Sequence, residues 1–159
     1  MRRIKYLSAI IFLSAIFLQS LLHRTFPFLI GLDLYTIFVY FISKRTDLRK
    51  SMIIGTLSGI FEDFTLSYTI PIGANGISKL IVSILSYQLT KILNSSNLFV
   101  EMGVIYFISI VDKLTVIFIL YIFGISFHFS KLLIFVISPI TNAAFYLIFF
   151  LIANLKWKE

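Results

Sequence analysis

The sequence predicts an all-α integral membrane protein, and three observations lead to this prediction. Of 159 residues, 59% are hydrophobic and only 13% are charged, and the mean hydropathy of +1.00 is too high for a soluble domain of this size. The apolar runs approach the roughly 20 residues with which a helix crosses a bilayer. They lack the period-2 alternation of outer-membrane barrels. We therefore expect a single multi-pass transmembrane domain over residues 1–159, with no room for a soluble catalytic domain.

About six transmembrane helices are expected, because the apolar runs are separated by short polar or turn-forming segments. The predicted spans are 4–22, 27–43, 51–67, 76–93, 98–124 and 131–154. The first run could also be a signal peptide, but no small-x-small cleavage site follows it, so we interpret it as a span. Pro71 and Gly73 predict a turn between the third and fourth spans.

The basic residues predict the orientation of these spans. If the N-terminus is cytoplasmic, the outside loops hold only Arg24 and Lys131. The inside loops then hold Arg2, Arg3, Lys5, Lys44, Arg45, Arg49, Lys50, Lys91, Lys156 and Lys158. The positive-inside rule therefore places both termini in the cytoplasm. Because the charges sit at the ends of apolar runs, the net charge of +7 reflects topology, and we expect no nucleic-acid partner.

Six charged residues lie within or at the edge of the apolar runs, namely Asp33, Glu62, Asp63, Lys79, Asp112 and Lys113. A charge at the centre of a transmembrane helix costs about 2.5 to 3.5 kcal/mol on insertion scales, so these side chains should avoid lipid. They could form a substrate or proton path, dock a partner helix, or pair internally and fix the helix packing. Lys79 is at a depth that allows an ion pair with Glu62 or Asp63. Asp112 and Lys113 lie about 100° apart on their helix, so we expect them to pair poorly with each other and to find partners on other helices.

The third span carries a stripe of small or polar residues at every fourth position, which are Ser51, Gly55, Gly59, Asp63 and Ser67. Residues at this spacing share one helical face, and small side chains let another helix approach closely. That helix could belong to a partner or to the chain itself, and packing within the chain is the commoner use.

Pro139 in the last span removes one backbone hydrogen bond. We expect Ser138, Thr141 or Asn142 to help satisfy the carbonyl group that is left free.

Catalytic templates are not matched. His23 and His128 are the only histidines and have no carboxylate at metal-ligand spacing, and the chain has no cysteine. Ser58-Gly59 is similar to an intramembrane serine protease motif, but Thr56 stands where a glycine is required, and no span has a histidine base. We expect neither an enzyme nor a cofactor or metal site.

The pattern Gly55-x3-Gly59-x3-Asp63, followed by Pro71-Ile72-Gly73-Ala74-Asn75-Gly76, resembles the signature region of the MreD family of rod shape-determining proteins. Asp33 near the start of the second span and Pro139-x2-Asn142 in the last span are similar to further family positions. Ser67-Tyr68 is a departure, because the family commonly has a glycine between the aspartate and the proline. The resemblance implies that the family positions of this chain are Gly55, Gly59, Asp63, Pro71, Gly73, Asn75, Pro139 and Asn142.

The resemblance also implies a role and a location. Members of the family are non-enzymatic subunits of the rod-shape complex in the bacterial cytoplasmic membrane. They associate with MreC-like membrane proteins, and through them with the MreB filament and the peptidoglycan synthases. Their fold is considered similar to that of the substrate-binding subunits of energy-coupling-factor vitamin transporters. Whether the chain also forms a homo-oligomer is left open.

Two functional hypotheses follow from this. In the first, the chain is a membrane scaffold whose glycine and charge faces receive a partner helix. In the second, it is a vitamin-binding transporter subunit with an outward cavity lined by Asp63, Asn75, Lys79 and Asn142. Such subunits carry a small-x3-small motif in their first span, whereas here Ala9 is followed by Leu13, so we favour the scaffold.

Overall fold

The computed structural model describes residues 32–66, 71–93, 97–125 and 133–155, and these form helices without any strand. The five α-helices are α1 (Leu34–Arg45), α2 (Leu48–Leu66), α3 (Ala74–Leu93), α4 (Leu98–Ile122) and α5 (Ser138–Leu155). A π-helical segment, Leu133–Ile137, leads directly into α5. The predicted all-α class is confirmed for this part of the chain. The first predicted span, residues 4–22, and the beginning of the second lie outside the described residues.

Two helices begin earlier than the apolar pattern predicts. The Ser51 amide donates to the Asp47 carbonyl at 2.9 Å, so the charged residues before Ser51 form the first turn of α2. Asn75, predicted in a turn, lies in the first turn of α3 and is buried. In both cases hydropathy marked the apolar part of the helix, whereas the backbone hydrogen bonds extend beyond it.

The predicted turn between α2 and α3 is present at its described residues. The Ala74 amide donates to the Pro71 carbonyl at 3.1 Å, and Gly73 has a φ of 102°, a conformation that favours glycine. A second glycine with positive φ, Gly124, follows the end of α4.

Helix α3 lies at the centre of the described fold, where it contacts α1, α2 and α4, while α5 packs mainly on α4. The hydrophobic core is formed where α1, α3, α4 and α5 meet and includes Val39, Tyr40, Val82, Ile105 and Tyr146. The rings of Tyr40 and Tyr146 pack edge to face with centroids 5.5 Å apart. This arrangement lets charged side chains of four helices meet around α3.

Several charged side chains are buried and several large apolar side chains are exposed, which is unusual for a soluble protein. Lys79 and Asp112 are completely buried, whereas Phe64 and Phe118 are 68% and 63% exposed. By length and composition, α4 is the one described helix that is long and apolar enough to cross a membrane, with a mean hydropathy of 2.1. Residues 135–148 form a shorter apolar stretch. The structure describes five α-helices, whereas six spans are predicted, and the first predicted span lies outside the described residues.

Candidate functional site: an interhelical charge cluster

Lys79 on α3 is the centre of a group of buried or partly buried ionisable side chains, which we call the charge cluster and which comprises Asp33, Glu62, Lys79, Asp112 and Lys113. The Lys79 ammonium donates to Asp33 Oδ2 at 2.6 Å, to Thr36 Oγ1 at 2.8 Å and to Asp112 Oδ2 at 2.9 Å. An ammonium group has three N–H donors, and all three are therefore used. These bonds attach α3 to the N-terminus of α1 and to the middle of α4.

Asp33 holds Lys79 from the N-terminus of α1, where it is the capping residue. Its carboxylate accepts the Thr36 amide at 3.0 Å and the Thr36 hydroxyl at 2.9 Å. The Lys113 ammonium also donates to its Oδ2 atom, at 3.1 Å. One carboxylate thus caps α1 and receives a cation from each of two other helices.

Asn142 connects α5 to Asp33 at the N-terminus of α1. Its Oδ1 atom accepts the backbone amide of Asp33 at 2.7 Å, and its Nδ2 donates to the Ser109 hydroxyl at 3.0 Å. We expected Asn142 to help satisfy a carbonyl freed by Pro139, and the structure gives it this interhelical role instead. The completely buried amide has both hydrogen-bonding ends satisfied.

Asp112 and Lys113 find partners on other helices, as the sequence predicts. Asp112 Oδ1 accepts the Ser78 hydroxyl at 2.6 Å, while its Oδ2 faces Lys79. The two neighbours also contact each other, with Lys113 Nζ 3.4 Å from Asp112 Oδ2, but this is the longest ion-pair distance in the cluster. The closer partners of Asp112 and Lys113 are Lys79 and Asp33 on the other helices.

Glu62 on α2 completes the cluster. Its Oε2 atom lies 3.1 Å from Lys79 Nζ, so one of the two carboxyl contacts that the sequence allows for Lys79 is present. No hydrogen bond accompanies this contact, since Oε2 is buried and has no hydrogen-bond partner among the described residues. The three Lys79 donors point to other acceptors.

Asp63, the other candidate partner of Lys79, has a different role. Its two carboxylate oxygens accept the backbone amides of Gly73 at 2.7 Å and Asn75 at 3.2 Å. Asp63 is one residue beyond Glu62 and so about 100° further around α2, where it faces the N-terminus of α3. A carboxylate there satisfies unpaired amides and complements the positive end of the helix dipole.

The glycine stripe of α2 packs against α3. A Cβ atom on Gly55 would lie 2.8 Å from the Lys79 carbonyl oxygen, and one on Gly59 would lie 2.7 Å from Gly76 Cα. Neither position has room for a side chain. The expectation that this face and the charges beside it receive a partner helix is therefore corrected, because α3 of the same chain occupies the face.

Pro139 follows the π-helical segment and is also buried. The Phe135 carbonyl, which an α-helical amide at position 139 would bind, accepts the Tyr106 hydroxyl at 2.7 Å. The Thr141 hydroxyl, which we expected to help satisfy the freed carbonyl, donates instead to the Ile137 and Ser138 carbonyls, each at 2.9 Å. Helix α4 thus stabilises the point at which α5 departs from regular geometry.

The outward cavity of the alternative hypothesis is not assembled from its four predicted residues. Asp63 and Asn75 bind each other at the α3 N-terminus, while Lys79 and Asn142 make separate buried contacts with Asp33. A cleft of about 490 Å³ lies instead at the opposite, predicted cytoplasmic end of α3, and Tyr40, Lys44, Tyr87, Lys91 and Glu101 are among the residues that line it.

Glu101 is a buried charged residue whose burial was not predicted from the sequence. Its carboxylate is held by the Lys44 ammonium and by the Tyr146 hydroxyl, so it connects α4 to α1 and α5. It occupies the first turn of α4, next to the Asn97 cap. An acidic residue there is usually explained by the helix dipole, which is why position alone did not predict burial.

Comparison with protein-family models, with curated proteins and with solved structures found no match. Among the residues that the structure describes, no group of three or more His, Cys, Asp or Glu side chains is placed to hold a metal ion. The charge cluster therefore has to be interpreted from its own contacts. What those contacts can do is hold α1, α2, α3 and α4 in fixed relative positions.

Proposed function

We propose that this chain is a multi-pass protein of the bacterial cytoplasmic membrane and a non-enzymatic scaffold subunit of the rod-shape complex. Its spans would be the six that the sequence predicts, with both termini in the cytoplasm. Its direct partner would be an MreC-like membrane protein, and the MreB filament and peptidoglycan synthases would be reached through that partner. The resemblance to the MreD family supplies the identity of the complex.

The single observation that carries the membrane part of this proposal is that large apolar side chains are exposed while charged side chains are buried among the described residues. Large apolar side chains such as Phe99 and Tyr121, which are 81% and 80% exposed, would be unfavourable in water and are favourable against lipid. Charges inside a membrane protein are expected to face the interior and to pair there. Lys79 and Asp112 do so.

The contacts of the charge cluster support a scaffold more than a transport path. Asp33, Lys79 and Asp112 hold three helices together by direct ion pairs, and Asn142 adds α5. A carrier has to separate such contacts to move its substrate, whereas a scaffold benefits from keeping them. A partner helix would then bind the outer, apolar surface of the helices, since the glycine face of α2 is already occupied.

The membrane part is testable by cysteine labelling, because the natural chain has no cysteine. Single cysteines would replace Asp47, Ile72 and Asn97, which are exposed residues outside the helices. An impermeant maleimide applied to intact spheroplasts should label Ile72→Cys alone. The same reagent applied to inverted vesicles should label Asp47→Cys and Asn97→Cys. Labelling of all three from one side, or recovery of the chain in the soluble fraction, would overturn the topology.

The scaffold part is testable by depletion and co-purification in the native host. Depleting the chain should convert rods to rounded cells, and the tagged chain in mild detergent should co-purify with the host's MreC-like protein. Unchanged rods together with no MreC-like partner would contradict the proposal. Co-purification with ATPase subunits and a retained small metabolite would instead favour the vitamin-transporter alternative.

A further inference from the structure

We infer that Glu62 is a proton-binding site, at which the packed chain holds a neutral carboxylic acid beside a cluster whose other charges cancel. This goes beyond the scaffold role and does not depend on it, since it concerns the interior of α1 to α4. Three independent features lead to it, namely the charge count, the donor count and the contrast with the neighbouring carboxylate.

The first feature is the charge count of the cluster. Asp33 and Asp112 are balanced by Lys79 and Lys113, with ion-pair distances of 2.6 to 3.4 Å. An ionised Glu62 would add a negative charge that no further cation in the cluster offsets. Glu62 is only 5% exposed, and an uncompensated charge is expensive in such surroundings. A bound proton removes the excess charge.

The second feature is the supply of hydrogen-bond donors. A carboxylate needs donors, yet the three N–H groups of Lys79 go to Asp33, Thr36 and Asp112. Lys113 donates to Asp33. The Oε2 atom of Glu62 is left buried without a hydrogen bond even though it lies 3.1 Å from Lys79 Nζ. Leaving an oxygen of a neutral carboxyl group without a donor costs less than leaving a charged carboxylate oxygen so.

The remaining titratable group beside Glu62 belongs to α1. Tyr35 pairs its hydroxyl with the Thr65 hydroxyl at 3.1 Å. Since Thr65 already donates to the Phe61 and Glu62 carbonyls, Tyr35 is the donor in this pair. Among the described residues, the titratable groups that face Glu62 are Asp33 and Tyr35 from α1, Lys79 from α3, and Asp112 and Lys113 from α4.

The third feature is the neighbouring carboxylate on α2. Asp63 is as deeply buried as Glu62, but it faces the N-terminus of α3 and accepts two backbone amides there. Glu62 Oε2 has no such donor. Two adjacent carboxyl groups thus have opposite environments, and the carboxyl group whose buried oxygen lacks a donor is that of Glu62.

Infrared spectroscopy of the full chain in detergent at neutral pH tests this directly. The wild-type chain should show the carbonyl stretch of a protonated side-chain carboxyl group, and Glu62→Gln should lose this band. The matched variants Asp63→Asn and Glu101→Gln should keep it. Absence of the band from the wild type, or its survival in Glu62→Gln, would overturn the proposal. Because a variant can fail to fold, ¹³C-carboxyl labelling of glutamate in the wild-type chain provides a second test. The labelling should shift the band, and a band that did not shift would not arise from Glu62.

The folding equilibrium gives an independent readout. If Glu62 keeps its proton in the folded chain and loses it on unfolding, the folded state binds one more proton, so stability falls as pH rises. The ratio of the wild-type folding constant to that of Glu62→Gln should fall about tenfold per pH unit between the pH at which an exposed glutamate ionises and the pH at which Glu62 loses its proton in the folded chain. Parallel pH profiles for the two chains would contradict proton binding at this site.

Discussion

The backbone amide of Asp33 donates a 2.7 Å hydrogen bond to the Oδ1 atom of Asn142, which lies 109 positions further along the chain. This bond attaches α5 to the start of α1, directly behind the carboxylate that holds Lys79. A polar side chain in the last described helix therefore orients the residue on which the charge cluster depends.

Replacing Asn142 with leucine should destabilise the fold, because the Asp33 amide and the Ser109 hydroxyl would both lose a buried partner. Each unsatisfied group costs about 1 to 3 kcal/mol. Thr141→Val is the matched control, since the Thr141 hydroxyl donates only within its own part of the helix. Thermal unfolding in detergent measures both variants. If Asn142→Leu unfolded at the same temperature as Thr141→Val, the Asn142 bridge would be unimportant for stability.

Replacing Gly59 with alanine should separate α2 from α3. The added Cβ would lie 2.7 Å from Gly76 Cα and would also overlap the backbone of Asn75, which cannot move like a flexible side chain. Overpacking of this kind costs about 1 to 3 kcal/mol.

The control for Gly59→Ala is Gly103→Ala on α4, where nothing lies within 4 Å of an added Cβ. Alanine is a better helix former than glycine by about 0.8 to 1.0 kcal/mol, so this variant should be neutral or stabilising. The two changes are chemically identical, and a similar loss of stability in both would refute the close contact of α2 with α3.

Replacing Lys79 with methionine should cause the largest loss of stability. The change removes a cation that donates hydrogen bonds to both Asp33 and Asp112, and breaking a buried ion pair from one side costs about 3 to 5 kcal/mol. We expect little folded protein in membranes, as measured by fluorescence-detected size exclusion.

Lys50→Met is the control for Lys79→Met. Lys50 pairs with Asp47 on the exposed start of α2, with its side chain 69% accessible, so its loss should change stability by at most about 1 kcal/mol. Normal accumulation of Lys79→Met would mean that the charge cluster does not hold the helices together.

Replacing Tyr106 with phenylalanine should loosen the π-helical segment. The Phe135 carbonyl would lose the hydroxyl that satisfies it, at a net cost of about 0.5 to 1.5 kcal/mol. Hydrogen exchange should become faster over residues 133–142 and remain unchanged in α2. Tyr121 lies on the same helix and is 80% exposed, so removing its hydroxyl in Tyr121→Phe should leave exchange unaltered. Unchanged protection in Tyr106→Phe would show that the carbonyl is satisfied in another way.

Composition and hydropathy were sufficient to predict the helical class and the positions of the charges that meet. Asp33, Glu62, Lys79, Asp112 and Lys113 were all recognised as charges inside apolar runs, and the structure brings all five together. Their pairing was harder to predict because it depends on the rotation of each helix about its axis. One step along α2 is enough to turn Asp63 away from Lys79 and towards the Gly73 amide.

Glu101 shows a second limit of prediction from sequence. Its partner Tyr146 lies 45 positions away and Lys44 lies 57 positions away, and no local pattern connects the three residues. The glycine stripe of α2 posed the same problem, because small residues at every fourth position predict that a helix approaches without specifying which helix it is. Only the packed structure identifies α3.

The central position of Lys79 also determines when the interior can close during synthesis. Asp33 and Glu62 are made before any cation of the charge cluster exists, and α3 then brings Lys79 to them. Helix α4 adds Asp112 and Lys113 together, so it contributes one charge of each sign and leaves the net charge of the interior unchanged. The last ion pairs of the charge cluster therefore cannot form until residue 113 has been made, and α5 is added afterwards through Asn142.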